Sequence, residues 1–336
     1  MEISLIFILC VIALALVFDF TNGFHDAANS IATIVATKVL TPRQAVIWAA
    51  FFNFIAFLFF SKLSVATTVG TGLINPYLVN SFLIFAALLA AVTWNLLTWY
   101  YGLPSSSSHA LIGGLAGAAL FKGGITALEL QSFTKIILAI VLSPLIGILF
   151  GIIATTVLNK LTNSQQEAQK HRWFKFFQLA SSAMLSISHG GNDAQKTMGI
   201  IAVLLHSTSW LGNEFYVPSW VVITCYSVLA LGTLAGGWRI VHTMGEKITK
   251  LDRMGGCIVE TGAAAVISFA THLGIPVSTT HIVTSIIAGV GSSDNTTGTR
   301  WSVMYKIFLT WLLTIPATAI IAGSIMYFES YFKLAH

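Results

Sequence analysis

Long apolar stretches, separated by short polar turns, make up nearly the whole chain. A helix needs about 20 apolar residues to cross a hydrocarbon core of about 30 Å, and several of these stretches are too short to cross it alone. The stretches lie approximately at residues 3–18, 26–37, 43–60, 79–101, 106–120, 135–157, 173–188, 193–206, 217–236, 254–273, 277–290 and 302–326. This pattern predicts an all-α polytopic membrane protein of about 10–12 membrane segments.

The composition supports a surface that faces lipid. Of the 336 residues, 56% are hydrophobic and only 9% are charged, against about 25% charged in a soluble domain. So few charged side chains cannot cover a soluble protein of this size, which excludes a water-soluble enzyme. The net charge of +5 is scattered among the turns, so no nucleic acid partner is expected. The three cysteines are isolated and predict neither a disulfide nor a zinc site.

Two polar motifs each occur once in either half of the chain. Asn22–Ser30 aligns with His189–Thr197, 167 positions later, and Gly102–His109 aligns with Gly274–His281, 172 positions later. The shared order and nearly equal spacing indicate a duplicated unit, and the one sizeable polar stretch separates the copies. We therefore predict a first membrane repeat at 1–158, a cytoplasmic linker at 159–172 and a second membrane repeat at 173–336.

Positive charges mark opposite loops in the two halves. In the first half, Lys38 and Arg43 follow the second apolar stretch, whereas residues 63–80 carry no Lys or Arg. In the second half, residues 206–217 carry none, whereas residues 239–253 are basic. Because basic loops stay in the cytoplasm, corresponding loops lie on opposite sides of the membrane and the two repeats are inverted. Both termini are then expected outside.

Some membrane helices are expected to be discontinuous. The basic linker is expected in the cytoplasm and the loop at 206–217 outside, so residues 173–206 must cross the membrane an odd number of times. A single broken helix satisfies this requirement. We therefore expect interruptions around Ser188–Asn192 and, by symmetry, around Asp19–His25. The stretches 106–120 and 277–290 each follow a proline and a run of hydroxyl residues, as half-helices that begin inside the bilayer do. This arrangement gives roughly ten crossings in all.

Two acidic residues, Asp26 and Asp193, occupy equivalent positions of the repeats inside apolar segments. A buried carboxylate costs a few kcal/mol in a membrane and usually faces a cavity or a partner. We expect this pair to bind a coupling cation or to carry a proton, together with His25, Asn29 and Asn192; a polar knot that locks helix ends together is the alternative. Oxygen ligands suit sodium, magnesium or a proton, and the sequence leaves that choice open.

Hydroxyl side chains cluster where two helices are predicted to begin. A helix N-terminus carries unsatisfied N–H donors and a partial positive charge, which together hold phosphate or sulfate without arginine. A single Ser or Thr there is only an N-cap, but runs in both repeats exceed what capping requires. The candidate anion ligands are Ser106, Ser107, Ser108, Ser278, Thr279 and Thr280, with Gln195 as a further donor. Glu260, inside another apolar stretch, is a separate candidate for a proton or cation site.

The four motifs resemble those of the PiT family of inorganic phosphate transporters. The resemblance rests on Asn22–Thr33, on Ser188–Gly199 and on the two hydroxyl motifs, in the family order and over nearly the whole chain. The residues Phe-His-Asp and Asp-Ala-Gln-Lys within these motifs are most similar to those of the bacterial low-affinity members. The resemblance implies symport of phosphate with a cation by alternating access, in the bacterial cytoplasmic (inner) membrane, by a protein that is often a homodimer. It implies no resident cofactor.

The motifs also depart from the common family pattern. Asn is usual where His25 stands, and Ala-Asn is usual where Gln195 and Lys196 stand. These departures argue against a sodium site copied from sodium-coupled relatives. They agree better with a proton, or with a divalent metal that travels with the anion as a co-substrate. Lys196 is expected to pair with Asp193 or Asp26.

Three other functions remain as alternatives. Sulfate permeases resemble this family, and sulfate has the same shape as phosphate. A passive anion channel would share the fold, and is distinguished by whether uptake concentrates phosphate. An intramembrane hydrolase would need one asymmetric set of nucleophile and base, whereas here each group is repeated, and neither HExxH nor GxSxG occurs. We therefore expect a transporter and not an enzyme.

Overall fold

The computed structural model describes residues 5–162, 167–212, 214–293 and 298–334. These residues form twelve α-helices, joined by short turns and single 3-10 or π segments, with no strand among them. The helices are α1 (Leu5–Ala36), α2 (Pro42–Ile55), α3 (Ser64–Thr71), α4 (Ser81–Tyr101), α5 (Ser107–Gly123), α6 (Leu130–Thr162), α7 (Glu167–Ser207), α8 (Ser219–Ala235), α9 (Trp238–His242), α10 (Arg253–His272), α11 (Thr279–Ser293) and α12 (Trp301–Leu334). Within the predicted linker, residues 163–166 lie outside the described residues, and the helices on either side reach Thr162 and Glu167.

The order of long and short helices in α1–α6 is repeated in α7–α12. The two halves run in opposite directions, as contacts between α1 and α7 show. Near the end of α1, the Thr37 hydroxyl donates to Oε1 of Gln178 at 2.9 Å, while earlier in α1 the Asp19 carboxylate accepts from Thr197 at 2.8 Å. Residue numbers thus rise along α1 as they fall along α7. This antiparallel crossing agrees with the inverted-topology repeats predicted from the loop charges.

The predicted interruptions of α1 and α7 are wrong. Both helices continue without a break through residues 19–25 and 188–192. The glycines there allow close crossing: a Cβ on Gly23 would lie 2.2 Å from the carbonyl oxygen of Leu229, and one on Gly190 would lie 2.6 Å from that of Asn53. The polar side chains bond sideways to neighbouring helices, so the main-chain hydrogen bonds of each helix stay intact.

The discontinuities lie instead in two helical hairpins. α4 and α5 turn at residues 102–106, and the ammonium of Lys122, at the end of α5, donates to the carbonyl of Leu78, just before α4, at 2.7 Å. α10 and α11 turn at 273–278 in the same way. Each hairpin therefore returns to the side on which it began, and its second arm is a half-helix, as predicted. α8 and α9 with its π extension are also bent, by 62°.

Among the described residues, six helices are long and apolar enough to cross a membrane by length and composition, one of them α5 with its 3-10 extension to Ala127, and the bent α8–α9 pair makes a seventh. The twelve predicted apolar stretches correspond to ten helices of the described chain, because 3–18 and 26–37 both lie in α1, and 173–188 and 193–206 both lie in α7. Two short helices, α3 and α9, had no counterpart among the apolar stretches. α6 presents a large exposed apolar surface to the outside of the bundle, including Ile137, Leu138, Val141, Leu145, Leu149 and Ile153.

The second arm of each hairpin packs against a long helix of the opposite repeat. α5 packs against α12, and α11 packs against α6. Glycines make both contacts close: a Cβ on Gly117 would lie 2.1 Å from the carbonyl oxygen of Ala319, and one on Gly289 would lie 2.3 Å from that of Ile148. Small residues at such crossings are typical of membrane helix packing. The two repeats are thus interlocked, and both hairpin tips point into the middle of the bundle.

Candidate functional site

The N-termini of α5 and α11 meet at the centre of the molecule. Ser106 caps α5, where its hydroxyl accepts from the main-chain N–H of His109 at 3.2 Å, and Ser278 caps α11 by accepting from His281 at 3.1 Å. The Ser108 hydroxyl donates across the meeting point to the carbonyl of Val277 at 3.1 Å. The partial positive ends of two helices therefore face one buried region.

Asp26 of α1 lies against both hairpin tips. Its Oδ1 lies 2.8 Å from Nδ1 of His25 and accepts from the Thr280 hydroxyl at 3.3 Å. Its Oδ2 lies 2.6 Å from the Ser107 hydroxyl, which also approaches Oδ1 of Asn22 at 2.5 Å and donates to one of the two. Asp26 is 2% exposed, so its carboxylate depends on these donors rather than on water.

Asp193 of α7 lies close to Asp26, as the repeat predicts. One carboxylate oxygen lies 2.5 Å from the ammonium of Lys196, and the other lies 3.4 Å from Nε2 of His189. Ligand atoms of Asp26, His189 and Asp193 all lie within 4.8 Å of one another, and all three side chains are buried. The two acids and the histidine could therefore hold a cation between them.

The remaining predicted cation residues take different places. The Asn29 amide donates to the hydroxyls of Thr279 and Thr280, at 3.0 Å each, so it joins α1 to the tip of the second hairpin. The Asn192 amide instead donates to the Thr271 hydroxyl at 2.9 Å, at the end of α10. Asn29 therefore bonds to the Thr280 hydroxyl, which also contacts Asp26. Asn192 instead bonds to the end of α10, just before the tip of the second hairpin.

Gln195 bonds to the main chain of two helices. Its Oε1 accepts from the N–H of Val65 at 3.0 Å, near the start of α3, and its Nε2 donates to the carbonyl of Gly191 at 2.7 Å. The Oε1 bond satisfies an orphan N–H donor at the start of α3. The side chain is fully buried, and its role as a donor to the anion stays a prediction.

Sequence reasoning missed His189 and the full role of Lys196. His189 aligns with Asn22, so its place in the repeated motif is a signal that could have identified it. Lys196 pairs with Asp193, as expected, but its ammonium also donates to the Ser108 hydroxyl of the opposite hairpin. No sequence pattern places residues 108 and 196 together.

Glu260 of α10 is the single acid of a second buried polar cluster, separate from the hairpin tips. Its carboxylate accepts from the Ser181 hydroxyl at 2.6 Å, the Thr33 hydroxyl at 2.7 Å and the Gln178 amide at 3.0 Å. Three neutral donors from α1 and α7 thus surround one acid. The cluster remains a candidate for a proton or cation.

The antiparallel repeats, the opposed hairpins and the paired acids at their tips define an integral multi-pass membrane protein with the architecture of an inverted-repeat transporter. A sequence profile of the phosphate transporter family matches residues 22–322. The chain belongs to that family.

Two relatives agree with this assignment, and one solved structure shares the fold. A protein of Rhizobium meliloti (strain 1021), named a probable low-affinity inorganic phosphate transporter, is 55% identical over 325 residues, 96% of this chain and 97% of its own. A Bacillus subtilis (strain 168) protein of the same name is 43% identical over 330 residues, 98% of each. The structure named "The sodium-dependent phosphate transporter" has the same fold, with a TM-score of 0.86 over 97% of this chain and 100% of that one, at 24% identity.

Proposed function

We propose that this protein imports inorganic phosphate across the cytoplasmic membrane by symport with a cation, through alternating access. The observation that carries the proposal is the meeting of two half-helix N-termini beside the Asp26 and Asp193 carboxylates. Such a region offers donors for an anion and acceptors for a cation side by side. Family membership supports phosphate as the anion, and the names of the relatives agree.

The anion is bound by donors of the hairpin tips. Main-chain N–H groups at the starts of α5 and α11 are joined there by the hydroxyls of Ser107, Ser108, Thr279 and Thr280, all buried. In the described state these hydroxyls bond to Asp26, Val277 and Asn29. Phosphate binding therefore exchanges these internal bonds for bonds to its own oxygens. A tetrahedral oxyanion with four oxygens uses donors from both halves at once.

Charge balance supports coupling to a cation. With neutral histidines, the two carboxylates and the Lys196 ammonium carry one net negative charge. Phosphate adds at least one more, and an uncompensated buried charge is costly. A proton or a metal cation that enters with phosphate restores the balance. Asp26, His189 and Asp193 offer oxygen and nitrogen ligands for a divalent metal that accompanies phosphate as co-substrate.

The closed centre supports alternating access. Asp26, Asp193 and the hydroxyl residues of both tips are at most 3% exposed. Substrate reaches them only if one hairpin moves relative to the long helices. Because the two hairpins are related by the inverted repeat, movement of either one opens the site to a different side. The homodimer implied by the family resemblance remains a prediction.

The experiment is uptake of radiolabelled phosphate by liposomes that contain the purified protein. A proton gradient and a sodium gradient are imposed separately, with and without Mg²⁺, and sulfate is offered as a competitor. We expect phosphate inside to exceed the external concentration under at least one cation gradient, with sulfate competing weakly. Uptake that only equilibrates would indicate a passive anion channel, and preferential sulfate uptake would indicate a sulfate permease.

A further inference from the structure

The ammonium of Lys196 is surrounded by oxygen atoms. It lies 2.5 Å from Oδ1 of Asp193, contacts the Ser108 hydroxyl, and lies 3.4 Å from the carbonyl oxygen of Val277. The side chain is 1% exposed, and it is among the largest fully buried side chains of the described residues. A carboxylate, a hydroxyl and a main-chain carbonyl are the ligand types that bind small hard cations in proteins.

The inverted repeat provides an equivalent of this arrangement on the other side. The motif alignment places Asn29 opposite Lys196, Asp26 opposite Asp193, and Thr280 opposite Ser108. The structure brings this second set together as well: the Asn29 amide donates to the Thr280 hydroxyl at 3.0 Å, and that hydroxyl donates to Asp26 at 3.3 Å. Each set thus has one acid from a long helix and one hydroxyl from the opposite repeat's hairpin. Only one set includes a positive charge of its own.

Lys196 reaches its partners across a boundary between the repeats. It belongs to α7, whereas Ser108 begins the α5 half-helix of the first repeat and Val277 precedes the α11 half-helix of the second. A metal ion in this place would join the same three elements. The lysine supplies the positive charge of such an ion and holds the same elements together, through a side chain that is covalently part of the protein.

We propose that the Lys196 ammonium is a tethered cation that permanently fills one of two symmetry-related cation sites, so that this chain takes up one mobile cation fewer than a symmetric pair would. The mobile cation of the proposed symport binds at Asp26, whose ligand atom lies within 4.8 Å of those of His189 and Asp193. The inference rests on the proposed function for that mobile cation, but the site of Lys196 itself is defined by its own contacts.

The test removes the tethered charge and supplies a free one. In Lys196→Ala the three oxygens and the space of the side chain remain, and in Lys196→Asn the residue of the first repeat is copied. We expect phosphate uptake by either variant to be low in N-methylglucamine buffer and to rise at least 10-fold with millimolar sodium or lithium. We also expect sodium to raise the melting temperature of both purified variants without phosphate, by several degrees. Lys160→Ala, at an exposed lysine, controls for loss of a lysine alone.

The outcomes separate this inference from the proposed function. A wild type that fails to accumulate phosphate under every cation gradient refutes the symport, while sodium stabilisation of the Lys196 variants still supports the site. Variants that bind phosphate weakly at every sodium concentration, with no stabilisation by sodium, make Lys196 a direct phosphate ligand and overturn the inference. Variants that do not fold with sodium present, while Lys196→Arg folds, assign the lysine a structural role and overturn it too.

Discussion

At the scale of single residues, the site is a set of shared hydroxyls. Ser107 contacts both Asn22 and Asp26, and Thr280 accepts from Asn29 while donating to Asp26. Each hydroxyl therefore links an acid on α1 to a half-helix N-terminus. The duplicated motifs predicted that Asp26 and Asp193 converge near the hairpin tips, and ligand atoms of the two acids lie within 4.8 Å of one another. The sequence could not predict that Gln195 bonds to Val65, because that contact joins residues 130 positions apart and follows only from helix packing.

Asp26→Asn is expected to abolish gradient-driven phosphate accumulation, with a loss of at least 10-fold. The amide keeps the size of the side chain but not the charge, and its NH₂ group meets either Ser107 or His25 as a competing donor. Radiolabelled uptake in liposomes measures the loss, beside Glu129→Gln as a control at an exposed acid. Asp26 has no part in coupling if the variant still accumulates phosphate at the wild-type level.

Ser107→Ala is expected to raise the KM for phosphate by about 10- to 150-fold, since a hydrogen bond to a charged group is worth about 1.5–3 kcal/mol. The maximal rate should fall less, because the main-chain donors of α5 remain. Thr134→Ala removes an exposed hydroxyl of α6, which bonds only to its own helix, and serves as the control. An unchanged KM in Ser107→Ala would remove this hydroxyl from the anion shell.

At the scale of elements, α1 is organised as one polar stripe through an apolar helix. Asp19, Asn22, Asp26, Asn29 and Thr33 recur at helical spacing and are all buried. The crossing count and the repeat symmetry predicted a break in this helix, but side chains on α5, α7, α10 and α11 bond to the polar stripe while the backbone remains helical. The half-helices were predictable because a proline and hydroxyl caps mark their starts. The short α3 and α9 were not, because neither is long enough to give an apolar pattern.

Gly117→Ala is expected to destabilise the α5–α12 contact. The added methyl group would lie 2.1 Å from the main-chain oxygen of Ala319, which cannot rotate away. Overpacking of this kind costs about 1–3 kcal/mol or more, which should lower the melting temperature in detergent by several degrees. Gly323→Ala lies on the same contact, but its methyl group would meet its nearest atom at 3.6 Å, an ordinary contact distance. Equal melting temperatures for the two variants would contradict the close crossing.

At the scale of the whole molecule, the fold is a pair of opposed units that share one centre. Duplication and loop charges predicted the inversion, since both are properties of the sequence itself. Which helix packs on which was not predictable: α5 lies on α12 and α11 on α6, so the second arm of each hairpin packs on the other repeat. Packing between the repeats leaves no periodic signal in the sequence, because the apolar face of a helix can pack equally well against several neighbours.

Single cysteines in equivalent loops are expected to react from opposite sides of the membrane. Tyr77, 96% exposed, belongs to the loop before α4, and Lys250, also exposed, belongs to the loop before α10. With the three native cysteines replaced, Tyr77→Cys should react with an impermeant maleimide added to intact cells. Lys250→Cys should react only after the cells are permeabilised. Labelling of both from the same side would refute the inversion.

Because the second arm of each hairpin packs on the other repeat, neither half of the chain is structurally complete by itself. A first repeat produced alone would turn the glycine seam of α5 towards acyl chains, and Asp26 would lose the Thr280 hydroxyl that the second repeat donates to it. Two separately expressed fragments, cut within 163–166, should each be degraded in the cell, yet rescue one another when made together. Complementation of that kind would mean that the covalent connection between the halves is dispensable, whereas the packing of one half against the other is required.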